Sequence, residues 1–395
     1  MSNKLKEVVI VSAVRTPIGT YKGSLKDIKT DQLGSIVIEE ILKKSKFDKT
    51  DIDEVIMGQV LTAGAGQNPA RQAAINGGVP NSKPAHLINQ VCGSGLRAVV
   101  SGYQSIKLGE AKVIISGGQE NMSIAPHSIF YRDKKRISED KLLDTMINDG
   151  LIDAFNNYHM GVTAENVAKK FNISRKEQDE FAIESYNRSM KAWNKGKFDN
   201  EIISVDVPQR KGGNIMINKD EEYTNVKIDK IPNLKPVFVK EGTVTAANAS
   251  TLNDGASALI IMSKEKAEKL NLKPIAKIRS YSDAAQDPEW FTTAPAKALP
   301  LALNKANLSI EEIDYFELNE AFSVVGIANI KKLNLNPKKV NVNGGAVSLG
   351  HPLGNSGSRI VVTLLNVLQQ NNGKIGAAAI CNGGGGASAL IIELI

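Results

Sequence analysis

The 395-residue sequence contains few of the side chains that usually mark a chemical site: two cysteines, four histidines and two tryptophans. Two cysteines without paired spacing exclude a disulfide framework and are typical of a reducing compartment. Long hydrophobic runs are also missing. The apolar stretch at residues 8–14 is too short for a membrane span, has no small-residue cleavage site and is predicted to be a buried strand. We therefore expect a cytoplasmic protein with no membrane partner.

Clustered positive charge and aromatic residues are also scarce. The net charge is +7, but the lysines are scattered and aromatic residues make up only 5% of the chain. These features argue against nucleic acid as a partner. A modest positive excess is compatible with a ligand that carries several phosphates. With 42% hydrophobic residues, a chain of this length can bury a large core in two or more domains.

The two ends of the chain resemble each other. Segments 50–58 and 311–319 both read as a loop followed by a buried strand, and each follows a helical pattern. Farther along, G-S-G-L-R-A-V-V at 93–100 matches N-S-G-S-R-I-V-V at 355–362 at nearly the same separation. Repetition of this kind indicates an internal duplication, and alternating strands and helices predict an α/β fold. We expect one domain over residues 1–270 and a second over 271–395.

Residues from about 120 to 249 differ in composition from the rest of the chain. They are more polar, with a charged helix predicted around Arg175–Lys195 and exposed loops or irregular strands over Gln209–Lys230. We interpret this stretch as a loop domain inserted in the first half, which would carry binding surface.

Cys92 lies in the sequence V-C-G-S-G, between a predicted strand and a predicted helix. A thiol at a helix N-terminus faces unpaired N–H groups and the positive end of the macrodipole, both of which favour a thiolate. Gly93 and Gly95 would leave room for a thioester. The alternative is a buried structural cysteine, which is the usual state of a free thiol.

Three other turns carry chemistry-bearing residues. His351, in G-H-P-L-G, could deprotonate Cys92. Cys381 precedes four glycines, and Gly383 could offer its N–H to an oxyanion or a phosphate. Asn319, in N-E-A-F, could orient a water, and Glu320 could hold the Asn319 side chain by a hydrogen bond. Asparagine at a strand end is, however, often only a turn residue. No Cys-x-x-Cys pair or fourth ligand supports a zinc site, so we expect no metal.

Together these motifs resemble the thiolase family over nearly the full length of the chain. The likeness rests on S-A-V-R-T-P-I-G, N-Q-V-C-G-S-G, G-G-Q-E-N-M-S, Y-H-M-G, G-T-V-T-A-A-N-A-S, N-E-A-F, N-V-N-G-G-A-V-S-L-G-H-P-L-G and C-N-G-G-G-G. The resemblance implies a duplicated fold with two βαβαβαββ halves, packed as α/β/α/β/α layers with an inserted loop domain. It also implies reversible Claisen condensation of two acetyl-CoA to acetoacetyl-CoA and CoA, with CoA as substrate and product and no other cofactor. Members of the family are commonly homotetramers or dimers.

The resemblance also assigns roles. Cys92 would take up the acyl group, His351 would activate it, and Cys381 would move the proton at the α-carbon of the second acetyl-CoA. Asn319 would hold a water that stabilises the enolate oxygen together with His351. The backbone N–H groups of Cys92 and Gly383 would form the oxyanion hole for the tetrahedral intermediate at the acylated cysteine.

Residues that match the family's CoA tunnel are Leu151, His159, Met160, Phe238, Ala246, Ser250 and Phe322. The Y-H-M-G motif, which contains His159, is similar to that of the biosynthetic type.

Three segments depart from the family pattern, and one of them is S-V-V after N-E-A-F, where A-x-Q is frequent. Asn225 stands where an arginine for the CoA nucleotide is frequent, and Lys227 or Lys230 could replace it. Trp290 and Phe291 are bulkier than the residues common at their positions, which would favour a short acyl chain.

Alternatives stay open at this point. A degradative 3-ketoacyl-CoA thiolase would keep the chemistry but take longer substrates. A ketoacyl synthase of the same fold class would not use a second cysteine such as Cys381. A non-catalytic scaffold needs neither cysteine.

Overall fold

The computed structural model describes residues 5–131, 142–209 and 212–395. The strands are β1 (Val8–Arg15), β2 (Gly19–Thr20), β3 (Glu54–Gly58), β4 (Ala85–Ile88), β5 (Val113–Asn121), β6 (His127–Ser128), β7 (Leu143–Asp144), β8 (Val205–Val207), β9 (Ile215–Ile217), β10 (Asn253–Ser263), β11 (Ala276–Ala285), β12 (Tyr315–Leu318), β13 (Ile375–Asn382) and β14 (Gly386–Leu394). The helices are α1 (Thr30–Ser45), α2 (Pro69–Asn76), α3 (Ser94–Leu108), α4 (Met160–Lys170), α5 (Arg175–Asn194), α6 (Lys264–Lys269), α7 (Pro295–Ala306), α8 (Ser323–Leu333), α9 (Ala346–Leu349) and α10 (Leu353–Gln370).

The strands of the two halves join edge to edge in one mixed sheet with the order β12-β13-β14-β11-β1-β10-β5-β3-β4, and β2 pairs with β10. A short ladder connects the halves, in which Val9 pairs with Lys277 and Ile10 with Ala276. Helices α3 and α10 pack against each other, and both contact strands of both halves. Helices α1 and α2 pack on the outside of the first half, and α7 packs on the outside of the second. These layers confirm the predicted α/β/α/β/α arrangement.

Helices α3 and α10 approach closely because glycines face each other across their first turns. A Cβ added at Gly357 would lie 2.3 Å from the backbone nitrogen of Leu96, and one added at Gly95 would lie 2.7 Å from the backbone nitrogen of Ser358. Every residue of α10 from Leu353 to Leu368 is buried, as expected for a helix that contacts the strands of both halves. The turns that precede these two helices, which carry Cys92 and His351, therefore lie side by side.

The predicted duplication is visible in matching side-chain contacts. The carboxylate of Asp53 accepts from the backbone N–H groups of Lys112 and Val113 at 2.6 and 3.0 Å. In the second half, Asp314 accepts from Lys374 and Ile375 at 2.7 and 2.9 Å. Each aspartate precedes one strand and thus hydrogen-bonds to the start of the neighbouring strand in the sheet in the same way.

The halves differ at one strand. The first half has the predicted βαβαβαββ order, but in the second half the strand expected between α8 and α10 is reduced to one bridge between Phe316 and Val340. All residues of the second half are described. Here Asn341 adopts a φ of 46°, and its amide bonds both the N–H and the C=O of Leu318 at 2.8 Å. The hydrogen bonds of the Asn341 side chain therefore take the place of the backbone pairing that the expected strand would make.

The stretch from about 120 to 249, which the sequence predicts to be an insertion, contains the predicted charged helix, which is α5 (Arg175–Asn194). Residues 132–141 and 210–211 of this stretch lie outside the described residues. The prediction of exposed loops over Gln209–Lys230 was partly wrong, because Asp220 and Glu222 are buried. Asp220 pairs with the fully buried Arg15, and such pairing is what allows a carboxylate to leave water. Across the described ranges, no helix is both long and apolar enough to cross a membrane.

Candidate active site

One cavity of about 530 Å³ contains most of the predicted site residues in its wall. Its lining includes Cys92, His351 and Gly383 and all seven predicted tunnel residues: Leu151, His159, Met160, Phe238, Ala246, Ser250 and Phe322. Residues from the insertion cover the turns that precede α3 and α10. The cavity is therefore enclosed by apolar side chains and ends at the side chains of a cysteine and a histidine.

Cys92 lies in the turn between β4 and α3. The residue before it, Val91, has a φ of 50°, an unfavourable conformation for a β-branched side chain. Ser94 holds this turn, since its hydroxyl donates to Val91 O at 2.6 Å and accepts from Gln90 N at 2.9 Å. The predicted strand–turn–helix order is present, and Cys92 is 8% exposed.

The expectation of a resting thiolate at Cys92 is wrong. Burial raises the pKa of this thiol to about 12, although the backbone N–H groups of Cys92 and Gly383 act in the opposite direction. Desolvation outweighs the favourable N–H groups because the apolar cavity removes water from the sulfur. The same two N–H groups are the predicted oxyanion hole, so the donors aim at the sulfur where the acyl group would form.

His351 is fixed from two sides. Its backbone N–H donates to Asn253 Oδ1 at 2.8 Å, and Nδ1 lies 2.6 Å from the hydroxyl of Ser356. The Ser356 hydroxyl donates its single proton to Pro352 O at 2.9 Å. The tautomer compatible with this bond carries its proton on Nδ1, which donates to the hydroxyl, and leaves Nε2 without a proton.

Nε2 of His351 is buried and has no hydrogen-bond partner among the described residues. Burial lowers the pKa of this imidazole to about 3, so the ring is neutral near pH 7. A neutral ring with a bare Nε2 at the cavity wall can accept a proton from a nearby thiol.

Cys381 is the last residue but one of β13 and is fully buried. Burial and the neighbouring Cys92 both raise the pKa of its thiol. Cys381 does not line the cavity wall. A thiolate formed here would be a strong base.

Asn319 follows β12, where its backbone N–H donates to Ala379 O at 3.0 Å. Both polar atoms of its side chain are buried and lack a partner among the described residues. An unpaired buried amide costs about 1–3 kcal/mol per group, so the arrangement favours a bound water or ligand at this position.

Glu320 does not hold Asn319, contrary to the expectation from N-E-A-F. Its carboxylate accepts from Ser185 Oγ at 2.7 Å, from Asn341 Nδ2 at 2.8 Å and from the backbone N–H of Val347 at 3.2 Å. Glu320 thus fixes the loop that leads to His351, because that loop passes over its side chain.

The histidine of Y-H-M-G stacks on Phe238, with ring centroids 4.6 Å apart. His159 Nδ1 accepts from the backbone N–H of Gly161 at 3.0 Å, and burial lowers the pKa of the ring. Gly161 is required here, because an added Cβ would lie 2.2 Å from the Phe238 ring. The stacked rings of His159 and Phe238 form one wall of the cavity. This wall is apolar except for the nitrogen edge of the imidazole.

The residues that depart from the family pattern separate into two places. Phe291 lines the cavity, whereas Trp290 lies outside the lining with the ammonium of Lys170 3.6 Å from its ring centroid. Asn225, Lys227 and Lys230 line a neighbouring cavity of about 300 Å³, which shares Ala246 with the first. These three residues therefore lie near the part of the first cavity that Ala246 lines.

Sequence reasoning gave no role to Glu120, Asn253 and Ser356. Glu120, in G-G-Q-E-N-M-S, accepts from the backbone N–H of Gly354 at 2.9 Å and of Val60 at 3.0 Å. It thereby binds the first turn of α10. The available signal was a glutamate between Gln119 and Asn121 at the polar end of a strand that begins with apolar residues. In the described parts of the chain, no cluster of His, Cys, Asp or Glu is arranged to hold a metal ion.

Comparison with known proteins agrees with this architecture. Family models described as "Thiolase, N-terminal domain" and "Thiolase, C-terminal domain" match residues 8–265 and 272–394. A probable acetyl-CoA acetyltransferase from Dictyostelium discoideum is 50% identical over 99% of this chain and 95% of its own length. The mitochondrial acetyl-CoA acetyltransferase of Bos taurus is 50% identical over 98% of this chain and 92% of its own length.

Solved structures show the same fold. A thiolase from Ascaris suum in complex with coenzyme A has a TM-score of 0.94 and 44% identity, covering 99% of this chain and all of its own. The Bacillus anthracis acetyl-CoA acetyltransferase has a TM-score of 0.97 and 39% identity, with both chains fully covered.

Proposed function

This chain belongs to the thiolase family, and on that premise we propose that it condenses two acetyl-CoA reversibly to acetoacetyl-CoA and CoA through an acetyl-cysteine at Cys92. Relatives at 50% identity over nearly the whole chain are named acetyl-CoA acetyltransferases. The observation that carries the site assignment is the bare Nε2 of His351 in the same apolar cavity as the Cys92 thiol.

In the first half-reaction, Cys92 Sγ attacks the carbonyl carbon of acetyl-CoA while its proton passes to His351 Nε2. The C–S bond to CoA then breaks, and the departing CoA sulfur takes the proton of the Cys381 thiol, which leaves Cys381 as a thiolate and His351 protonated. N–H groups of Cys92 and Gly383 would stabilise the oxyanion of the tetrahedral intermediate. The products are acetyl-Cys92 and CoA.

In the second half-reaction, the thiolate form of Cys381 removes a proton from the α-carbon of a second acetyl-CoA. The raised pKa of Cys381 makes that thiolate a base suited to a weakly acidic C–H. A water held by Asn319 would stabilise the enolate oxygen with His351. The enolate carbon attacks the acetyl group, the C–S bond to Cys92 breaks, and the departing Cys92 sulfur takes back the proton held by His351, so that both cysteines are again thiols and His351 is again neutral.

CoA would enter between the insertion and the cysteine turn, along the seven tunnel residues. Lys227 and Lys230, in the adjoining cavity, are the candidates to neutralise the phosphates of its nucleotide. We assign the reaction no metal and no redox cofactor, because thiol, imidazole and backbone donors supply each step.

Acetylation tests this proposal. Incubation with labelled acetyl-CoA should attach one acetyl group to the wild-type chain and to Cys381→Ala, and none to Cys92→Ala. Condensation should fall by about a thousandfold or more in both variants. The matched pair separates the half-reactions, because the two cysteines are the only thiols in the chain. Full condensation activity in Cys92→Ala would overturn the proposal.

The preferred length of the acyl chain distinguishes the degradative alternative from the proposed function. Phe291 and Phe322 narrow the cavity, and we expect thiolysis of acetoacetyl-CoA to be preferred over 3-ketohexadecanoyl-CoA. Preference for the long substrate would reverse this choice. A non-catalytic scaffold would fail to become acetylated.

A homotetramer is the proposed assembly. The insertion exposes Phe130, Leu142 and Phe155 by 81, 67 and 72%, which is unusual for large apolar side chains in a protomer that stands alone. Light scattering should give the mass of four chains of 42.5 kDa. A monomer at micromolar concentration would contradict this assignment.

A cytoplasmic location is proposed from the two free thiols, which suit a reducing compartment. The Bos taurus and Mus musculus relatives are named as mitochondrial proteins. Fractionation of the source cells decides between the two compartments, and activity confined to mitochondria would overturn the proposal.

A further inference from the structure

A second large cavity, of about 580 Å³, shares none of the lining of the active site. It lies where the last turns of α5 meet the loop at residues 338–343 and the residue after α10, Asn371. Its wall carries Lys191, Lys195, Lys197 and Lys338. The concentration of one charge sign around a concave surface is the feature that needs an explanation.

The four lysines have no carboxylate partner within ion-pair distance among the described residues. The one acidic residue in the wall, Glu184, is already bonded to Arg188 Nε at 2.8 Å. Arg188 also donates to the backbone oxygen of Val340, so its guanidinium faces the protein. The lysine charges are therefore available to a ligand.

A simpler explanation is that the lysines compensate the negative ends of two helices. Each helix C-terminus carries roughly half a negative charge, so the ends of α5 and α10 require about one positive charge. Four unpaired ammonium groups exceed that requirement by about three. Helix capping alone does not account for them.

An independent observation comes from Asn343, which lies in the cavity wall and is 7% exposed. Its Nδ2 is buried and has no hydrogen-bond partner among the described residues. The Ser189 hydroxyl donates to its backbone oxygen at 3.3 Å, which holds the residue against α5. Asn343 thus places an unpaired amide donor in the same wall as the four lysines, and an acceptor-rich anion would satisfy that donor.

We propose that this cavity binds a compact polyanion with two or more adjacent phosphate groups. Ammonium groups bind phosphate as point charges, and their number matches a ligand with several negative charges. The wall has no aromatic ring for a base to stack on. The cavity would therefore recognise the phosphate chain itself, whether free or attached to a nucleoside.

Calorimetry with the full chain and sodium tripolyphosphate at about 0.1 M salt tests the proposal, since screening at that salt suppresses diffuse attraction. We expect saturable binding of one tripolyphosphate per chain. ATP should bind within about threefold of tripolyphosphate and orthophosphate at least about tenfold more weakly, because the charge count differs. Equal binding of orthophosphate, or ATP tighter by tenfold, would contradict recognition of a phosphate chain.

Variants locate the site. Lys191→Glu combined with Lys195→Glu should weaken binding at least about tenfold, and Asn343→Ala about threefold or more. The control is Lys269→Glu with Lys273→Glu, which changes the net charge equally at exposed positions elsewhere and should alter binding by less than about twofold. Thermal melting of each variant checks that it is folded.

Three results would overturn the proposal: no saturable binding, equal weakening by the control, or loss of binding only in Lys227→Glu with Lys230→Glu. The last result would place the anion beside the active-site tunnel. The acetylation assay is independent of all three, so this proposal and the proposed reaction can fail separately.

Discussion

Arg15 donates through both terminal nitrogens to the two carboxylate oxygens of Asp220, at 2.7 and 2.9 Å, and through Nε to Glu201 at 2.6 Å. All three side chains are fully buried or nearly so. Arg15 ends the first strand, whereas Asp220 and Glu201 belong to the insertion. A forked, charge-assisted contact thus attaches the insertion, which covers the active-site cavity, to the central sheet.

Arg15→Met should destabilise the protein by about 3–5 kcal/mol, because it leaves two carboxylates buried without their partner. Thermal melting at a fixed scan rate should show a decrease of about 5 °C. Lys43→Met is the matched control, since Lys43 forms an exposed ion pair with Glu39 and should change the melting temperature by less than about 1 °C. Equal small changes in both variants would show that the buried contact contributes little.

Ser356 is predicted to be a positioning residue for His351. Ser356→Ala removes the acceptor of Nδ1–H and lets the ring protonate Nε2 instead, so kcat should fall about 10- to 100-fold. KM should stay within about twofold, because Ser356 does not line the cavity. Ser356→Thr keeps the hydroxyl and should restore most of the rate. A threonine variant as slow as the alanine variant would indicate a packing role.

Asn319→Leu should separate stability from activity. The substitution removes two buried polar atoms that lack partners, so the melting temperature should stay equal or rise. Condensation should nevertheless fall about a hundredfold, because the donor for the enolate water is lost. Acetylation of Cys92 should change by less than about threefold. A lower melting temperature with both half-reactions slowed equally would instead identify a structural amide.

The sequence was a good guide to the fold and to the position of the site residues. Repeated segments predicted the duplication. Asp53 and Asp314 make equivalent contacts in the two halves, in agreement with that prediction. Rare side chains beside glycines identified the turns at Cys92, His351 and Cys381. Local pattern sufficed in these cases because glycine-rich turns between strands and helices have strong sequence signals.

Ionisation could not be predicted in the same way. The helix N-terminus at Cys92 is a local feature and suggested a thiolate, but the desolvation that dominates its pKa comes from the tertiary packing that buries this turn. Ser356 was overlooked because a serine in the first turn of a helix is common, and only the fold shows His351 Nδ1 beside it. Local sequence patterns do not show which distant segments bury a side chain or supply its hydrogen-bond partners, so they do not predict its ionisation.

Cys92 and His351 should behave as a pair whose reactivity does not depend on pH near neutrality. Burial raises the pKa of the thiol to about 12 and lowers that of the imidazole to about 3. Between these values the pair gains and loses no proton, so the small fraction present as thiolate and imidazolium stays constant. An isolated thiol well below its pKa instead becomes about tenfold more reactive per pH unit.

Alkylation of the Cys381→Ala variant by iodoacetamide measures this directly, because Cys92 is then the only thiol in the chain. Its rate constant should change by less than about twofold between pH 6 and 8. Adding His351→Asn removes the proton acceptor, and the rate should then rise about a hundredfold over the same range. A tenfold rise per pH unit with His351 present would show that the two residues do not share a proton. A decrease below pH 6.5 would mean that His351 keeps an ordinary pKa, because it would then gain a proton as the pH falls.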